Sequence, residues 1–181
     1  MKKSLFFLSF LLSLVTCQKD VFDEHGFYGE GRAKLNGLDW TGKTGVFFTD
    51  VFCQPDSCIA INLYHRNEGG ALRGKLTLNH VPLRTGRQTL NYTWPLSTDV
   101  PCQLSYSLFT SDGDVIIGDY SVIEQTDDNY LDITVLNLVA GDISGKFQAT
   151  VVRDSFWTFA GHQPDTIRIT EGTFWGKIFR K

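Results

Sequence analysis

One stretch of the sequence spells out a chemistry. Gly37-Leu-Asp-Trp-Thr-Gly42-Lys43-Thr44 fits the spacing G-x-x-x-x-G-K-[ST], in which backbone amides curl around a phosphate and a lysine neutralises it. That chemistry needs a helix directly after the turn, because the helix N-terminus supplies the amides. The residues that follow are Gly45-Val-Phe-Phe-Thr-Asp-Val-Phe52, a β-branched and aromatic run that reads as a strand. Asn36-Gly37 and Thr41-Gly42 are therefore expected to be turns, and no nucleotide is expected as a partner. Gly29-Glu-Gly31 fails as a dinucleotide fingerprint, since Lys34 stands where a third glycine is required.

The cysteines are the next reactive residues. Cys53-Gln-Pro-Asp-Ser-Cys58 encloses a turn-forming Pro-Asp, and in an oxidising compartment these two form the expected disulfide, with Cys102 as the alternative partner for either. A zinc site using His65 is the rival. The four-residue gap lies at the edge of ligand spacing and no second cysteine pair exists, so neither metal nor cofactor is expected. Asp112-Gly-Asp114 and Asp127-Asp128-Asn129 offer oxygen ligands to Ca²⁺, but both fall where hairpin turns are expected and neither matches an EF-hand loop. His65, His80 and His162 are isolated in the sequence. Glu30, Glu68, Glu124, Glu171 and the aspartates could supply an acid–base pair of the kind that cleaves glycosides, although sequence separation does not fix their distances. No G-x-S-x-G, H-E-x-x-H or S-x-x-K is present, and no residue is assigned a catalytic role.

Aromatic residues give the most specific binding candidates. The chain has 14 Phe, 6 Tyr and 4 Trp, most of which must fill the core. Phe156 and Trp157 are adjacent, so on a strand their rings would point to opposite faces. Together with Trp94 and Trp175 they are the candidates for an exposed platform that binds a sugar ring or a partner protein.

The N-terminus carries an address. Lys2 and Lys3 precede an apolar run from Leu5 to Val15, about half the length of a membrane span. Leu14-Val15-Thr16-Cys17 resembles the bacterial lipobox, which implies acylation of Cys17 after removal of residues 1–16. Residues 17–27 then read as a tether and 28–181 as a single domain. Gln18-Lys19-Asp20 resembles the signal that sends lipoproteins of the Bacteroidota to the cell surface. The expected location is thus the outer membrane, held by lipid alone. The chain has 17 Lys+Arg and 20 Asp+Glu, a net charge of −3, and loss of Lys2 and Lys3 makes it −5. No basic stripe exists, so nucleic acid is not an expected partner.

Elements must position these residues, and the sequence points to strands throughout. Short alternating runs separated by turn residues predict roughly ten of them in an antiparallel β-sandwich or open barrel with little helix. Arg32–Leu35 and Leu38–Trp40 flank Asn36-Gly37, the signature of a two-residue type I′ hairpin. Further strands are expected over 45–52, 59–65, 72–78, 104–108, 115–123, 130–138, 143–152 and 166–179. Turns are expected at 67–70, 112–113 and 126–129, and a bulge at Glu171-Gly172. All five prolines are placed in loops.

Three local patterns extend the argument. Ala33-Lys-Leu-Asn-Gly-Leu-Asp-Trp40, Ile143-Ser-Gly-Lys-Phe147 and Ile167-Arg-Ile-Thr-Glu-Gly-Thr-Phe174 resemble a group of small Bacteroidota lipoproteins of unknown function. The resemblance implies a β-sandwich-like lipoprotein and no reaction. The cysteine pair and Phe156-Trp157 lie outside its pattern. The leading expectation is a non-catalytic binding or accessory module for a glycan, peptide or partner protein. A carboxylate-dependent envelope hydrolase and a structural spacer or subunit are the rivals.

Overall fold

A computed structural model of the protein describes residues 27–49, 53, 57–91, 102–123, 126–154 and 163–179. Cys17, Trp94, Glu124, Phe156, Trp157 and His162 lie outside the described residues. Among those described, there are ten strands and no helix: β1 Gly29–Leu35, β2 Leu38–Thr49, β3 Cys58–Arg66, β4 Leu72–Pro82, β5 Gly86–Thr89, β6 Gln103–Phe109, β7 Ile116–Ser121, β8 Tyr130–Asn137, β9 Asp142–Arg153 and β10 Thr166–Phe179.

The turn chemistry behaves as the residue types require. Asn36 and Gly37 both have positive φ, 51° and 84°, and Leu35 pairs with Leu38 across them, which is the two-residue type I′ hairpin. Asn36 also ties this turn to the far strand: its Oδ1 accepts from the Arg168 N–H at 2.8 Å. Gly113 takes φ 85° in the β6–β7 turn, and Asn129 N–H closes the turn at Thr126 O. The bulge in β10 is present, where Glu171 adopts φ 53° and the register with β9 slips between Ile169 and Gly172.

Three expectations are corrected. Thr41-Gly42 is not a turn; both residues lie within β2, which runs unbroken from Leu38 to Thr49. Gly42 is there because its side faces inward: a Cβ would stand 3.0 Å from the Trp40 ring and 3.1 Å from the Tyr64 backbone. β5 was not expected at all. Pro82 is the last residue of β4 rather than a loop residue, at a strand end where the missing N–H costs no interior ladder bond.

Eight of the strands bond in a ring. β1 pairs with β2, and the chain continues through β3, β4, β6, β7, β9 and β10, which returns to β1. The pairings are antiparallel except where the end of β10 meets β2 at Ile178 and Val46. Register can be followed once around, from Ser144 through Trp175, Glu30, Lys43, Tyr64, Lys75 and Ser107 to Asp119. It closes where the Asp154 N–H donates to Asp119 O, ten residues beyond Ser144 on the chain. Eight strands with a stagger of that size tilt by roughly 40° to the ring axis, and such a ring has an interior just wide enough for side chains to fill.

The interior is filled accordingly. Val46, Ile59, Ile61, Leu63, Leu76, Leu78, Tyr120, Phe147, Val151 and Ile169 are all essentially inaccessible to solvent. Glycines make room for the largest rings, since a Cβ on Gly74 would come within 2.7 Å of the Tyr106 hydroxyl. Burial pushes the Tyr106 phenol up to about 12; the Trp40 indole N–H opposes that shift without reaching hydrogen-bond geometry. With the core so packed, ligand contacts must be sought on the outside.

Candidate functional site

On the outside, a structural irregularity among the described residues creates a groove. A strand has two edges, and one edge of β9 is divided. Its first part pairs with β8, from Asp142 to Gln148, and its end pairs with β7, at Val152 and Arg153. Between the two the ladder is interrupted, and the Asn129 carboxamide fills the gap by accepting from the Thr150 N–H at 2.8 Å. Asn129 is buried, and its own carbonyl accepts from the Leu90 N–H. This fork exists because β8 leaves the ring with β5 on its outer edge, while β7 closes it through two residue pairs only.

The groove at the fork has a volume of about 620 Å³, in the range of small-molecule sites. Its floor is formed by outward side chains of β9 and β10: Gln148, Thr150 and Val152 beside Arg168 and Thr170. Its wall is the connection from β7 to β8, with Ile123, Thr126 and Asp128. With Asn129 at the fork, the lining therefore combines hydroxyls, two carboxamides, one guanidinium and one carboxylate with two aliphatic side chains. Ile123 is exposed although large and apolar. Among the described residues of the groove, Asp128 is the one carboxylate, so the paired carboxylates of glycoside hydrolysis are not assembled by them.

A second, shallower depression of about 490 Å³ lies over β1, β2 and β3, bordered by Glu30, Lys43, Tyr64 and Arg66. Its aromatic surface is already occupied: the Phe27 ring packs on Tyr64 at 4.4 Å between centroids, and Arg66 lies over Phe27. Glu30 is engaged by Arg32 at 2.7 Å and Glu171 by Lys34 at 2.8 Å, on the outer surface. The guanidinium of Arg32 holds the Glu30 carboxyl below its ordinary value. Farther round the ring, Lys75 lies over the Tyr64 ring at 5.5 Å and Ser107 donates to Asp119 at 2.8 Å. Burial lowers Lys75 and raises Asp119, each partly offset by the other's charge. The Ser107 proton is directed at the Asp119 carboxylate, which ties β6 to β7 across the sheet.

The expected site residues separate as follows. Trp175 is 51% exposed on the outer face of β10 and meets Tyr28 edge-on, with centroids 6.2 Å apart. It does not line the groove. Trp94, Phe156 and Trp157 lie outside the described residues, as does Cys17. Cys53 and Cys58 are joined in a disulfide, and Cys102 is unbridged and buried. Among the described residues no three His, Cys, Asp or Glu side chains gather as a metal site would require. Asp112 and Asp128 sit in turns, where the Asp112 carboxylate accepts from the Thr110 hydroxyl and from the Asp114 N–H. Gln148, Thr150, Arg168 and Thr170 carried no signal in the sequence. They are ordinary outward strand residues, and only the register of β9 with β10 brings them together.

A scan against models of protein families, a search of curated proteins and a search of solved structures each found no match to this chain.

Proposed function

We propose that the chain is an exported lipoprotein, anchored through Cys17 in the outer membrane, whose domain binds a short glycan in the groove at the β9 fork. The observation that carries the reading is the groove's lining. Sugar hydroxyls both donate and accept, and the Thr126, Thr150 and Thr170 hydroxyls, the Gln148 amide, Asp128 and Arg168 offer both roles within one depression. Ile123 and Val152 supply aliphatic surface for the C–H face of a ring. The lipobox-like Leu14-Val15-Thr16-Cys17 supports the anchor. A filled interior supports external binding over enclosure of a ligand.

The experiment is a titration of ¹⁵N-labelled residues 21–181 with a panel of neutral and acidic envelope oligosaccharides, followed by amide shifts. Saturable shifts are expected at Thr126–Asn129, Gln148–Val152 and Arg168–Thr170. Arg168→Ala is expected to weaken binding about tenfold or more while leaving the spectrum otherwise unchanged, as loss of a charged hydrogen bond worth ~1.5–3 kcal/mol requires. If no oligosaccharide moves these amides and a peptide library does, the partner is a peptide. If neither does, the groove is not a binding site.

A further inference from the structure

We propose that the rim of the ring bearing the Leu138-Val139-Ala140 hairpin tip docks on the lipid surface beside the N-terminal anchor; this rests on the anchoring through Cys17 proposed above. The connections of the ring alternate between two rims. The β1–β2, β3–β4 and β6–β7 turns lie at one, and the β8–β9 turn lies at the other, together with the start of β1 and the end of β10. The backbone fixes this neighbourhood: Lys177 N–H donates to Tyr28 O at 3.0 Å, and Ile178 N–H donates to Gly141 O at 2.7 Å.

Exposed apolar side chains concentrate at the same rim. Among the described residues, five of the eight large exposed ones are Tyr28, Val135, Leu138, Val139 and Trp175. Val139 is fully exposed, and turn tips in water favour polar residues. Trp175 and Val135 flank Ser144 on the outer face, where both pair with it in the sheet. The arrangement is an aliphatic tip with an exposed Trp–Tyr pair set back from it, the order in which a protein enters a bilayer: aliphatic groups among the acyl chains, amphipathic rings at the headgroups. Lys177 supplies a cation at this rim; it is paired with Asp142 and donates to Ala140 O at 3.2 Å.

The tether selects lipid as the occupant. Nine residues lie between Cys17 and Phe27, a reach of at most about 35 Å when fully extended. That segment enters β1 at the apolar rim, so the rim faces the membrane to which an acylated Cys17 belongs. The opposite rim, with the Asn36-Gly37 turn and Leu38, faces away.

The test uses the full-length acylated protein in vesicles of phosphatidylethanolamine with phosphatidylglycerol. A polarity-sensitive fluorophore is placed at Val139→Cys, or in a second variant at Leu38→Cys; both sites are exposed, so neither substitution disturbs the core. Mass spectrometry of the Cys17 peptide and flotation of the vesicles come first. If Cys17 carries no acyl chains, the anchoring reading fails and the docking falls with it. With acylation and flotation established, the expected result is a blue shift at position 139 and strong quenching by lipids brominated in the acyl chain, with neither at position 38. Equal, water-like emission at both positions overturns the docking and leaves the anchor standing.

Discussion

Cys102 shows how a single residue's environment decides its chemistry. It is 6% exposed within the main core cluster, and burial pushes its thiol up to about 12, against a small opposing influence from the Gln103 backbone. The thiolate is the reactive form, so raising the pH from 7 to 9 does little for a group that ionises near 12. In the native protein Cys102 is therefore expected to resist iodoacetamide across that range, and to react at the rate of an ordinary thiol once the protein is unfolded in guanidinium. Mass spectrometry of native and denatured samples makes the comparison. Native labelling as fast as that of the unfolded chain would show that the site opens without unfolding. Cys53 and Cys58 differ because they are joined to each other: Cys58, itself buried, begins β3 opposite Thr49, and the disulfide links it to Cys53.

At the scale of elements, β9 and β10 explain two of the sequence patterns as one packing device. Phe147 lies opposite Gly172, and Phe174 opposite Gly145. Each ring covers the glycine of the facing strand: a Cβ on Gly172 would stand 2.4 Å from Phe147 O and 2.6 Å from its ring, and one on Gly145 would stand 2.8 Å from the Phe174 ring. The two rings then meet at 6.4 Å. A side chain at Gly172 cannot be relieved by a rotamer change, because backbone as well as ring is in the way. Gly172→Ala is therefore expected to cost about 2 kcal/mol or more, measured by urea unfolding. Gly172→Ala with Phe147→Leu should cost less than the sum of the single changes, since the smaller side chain removes part of the clash. Strict additivity would separate the two positions. These strands were legible in the sequence because alternation and the Asn-Gly and Asp-Gly turns are local signals. Gly42 was misread for a physical reason: a glycine that makes room inside a ring carries the same letter as one that makes a turn. β5 was missed because Gly-Arg-Gln-Thr has no alternation, and it is a strand through its pairing with Leu131 and its neighbours on β8.

The whole molecule is a ring whose seams differ in strength, and the candidate site sits at the weakest. β10 bonds along nearly all of β9, and β3 with β4 forms a nearly as long interface, whereas β7 joins β9 through Tyr120 with Arg153 and Ser121 with Val152, extended by the Asp154 N–H to Asp119 O hydrogen bond. The Tyr120 hydroxyl reinforces that seam from inside by donating to Pro164 O at 3.0 Å. None of this was legible residue by residue. The groove at the fork depends on which strand each part of the β9 edge meets, a consequence of the ring's stagger that no local pattern encodes. The same topology sets an order of opening. Amide exchange is expected to be slowest in β2, β3 and β4, whose buried Ile61, Leu63 and Leu76 are held on both sides, and fastest in β5 and β8, which lie outside the ring. The β7–β9 amides should fall between. Tyr120→Phe removes the hydroxyl and leaves the ring, so it should accelerate exchange at Tyr120, Ser121, Val152 and Arg153 by about fivefold while β2–β4 change little, as loss of one hydrogen bond of about 1 kcal/mol implies. Ligand in the groove should act in the opposite direction at the same amides, because it bridges β9, β10 and the β7–β8 connection. Uniform exchange across all ten strands would mean that the seam opens only with global unfolding, and the groove would then be a rigid feature of the surface rather than a place where the ring yields.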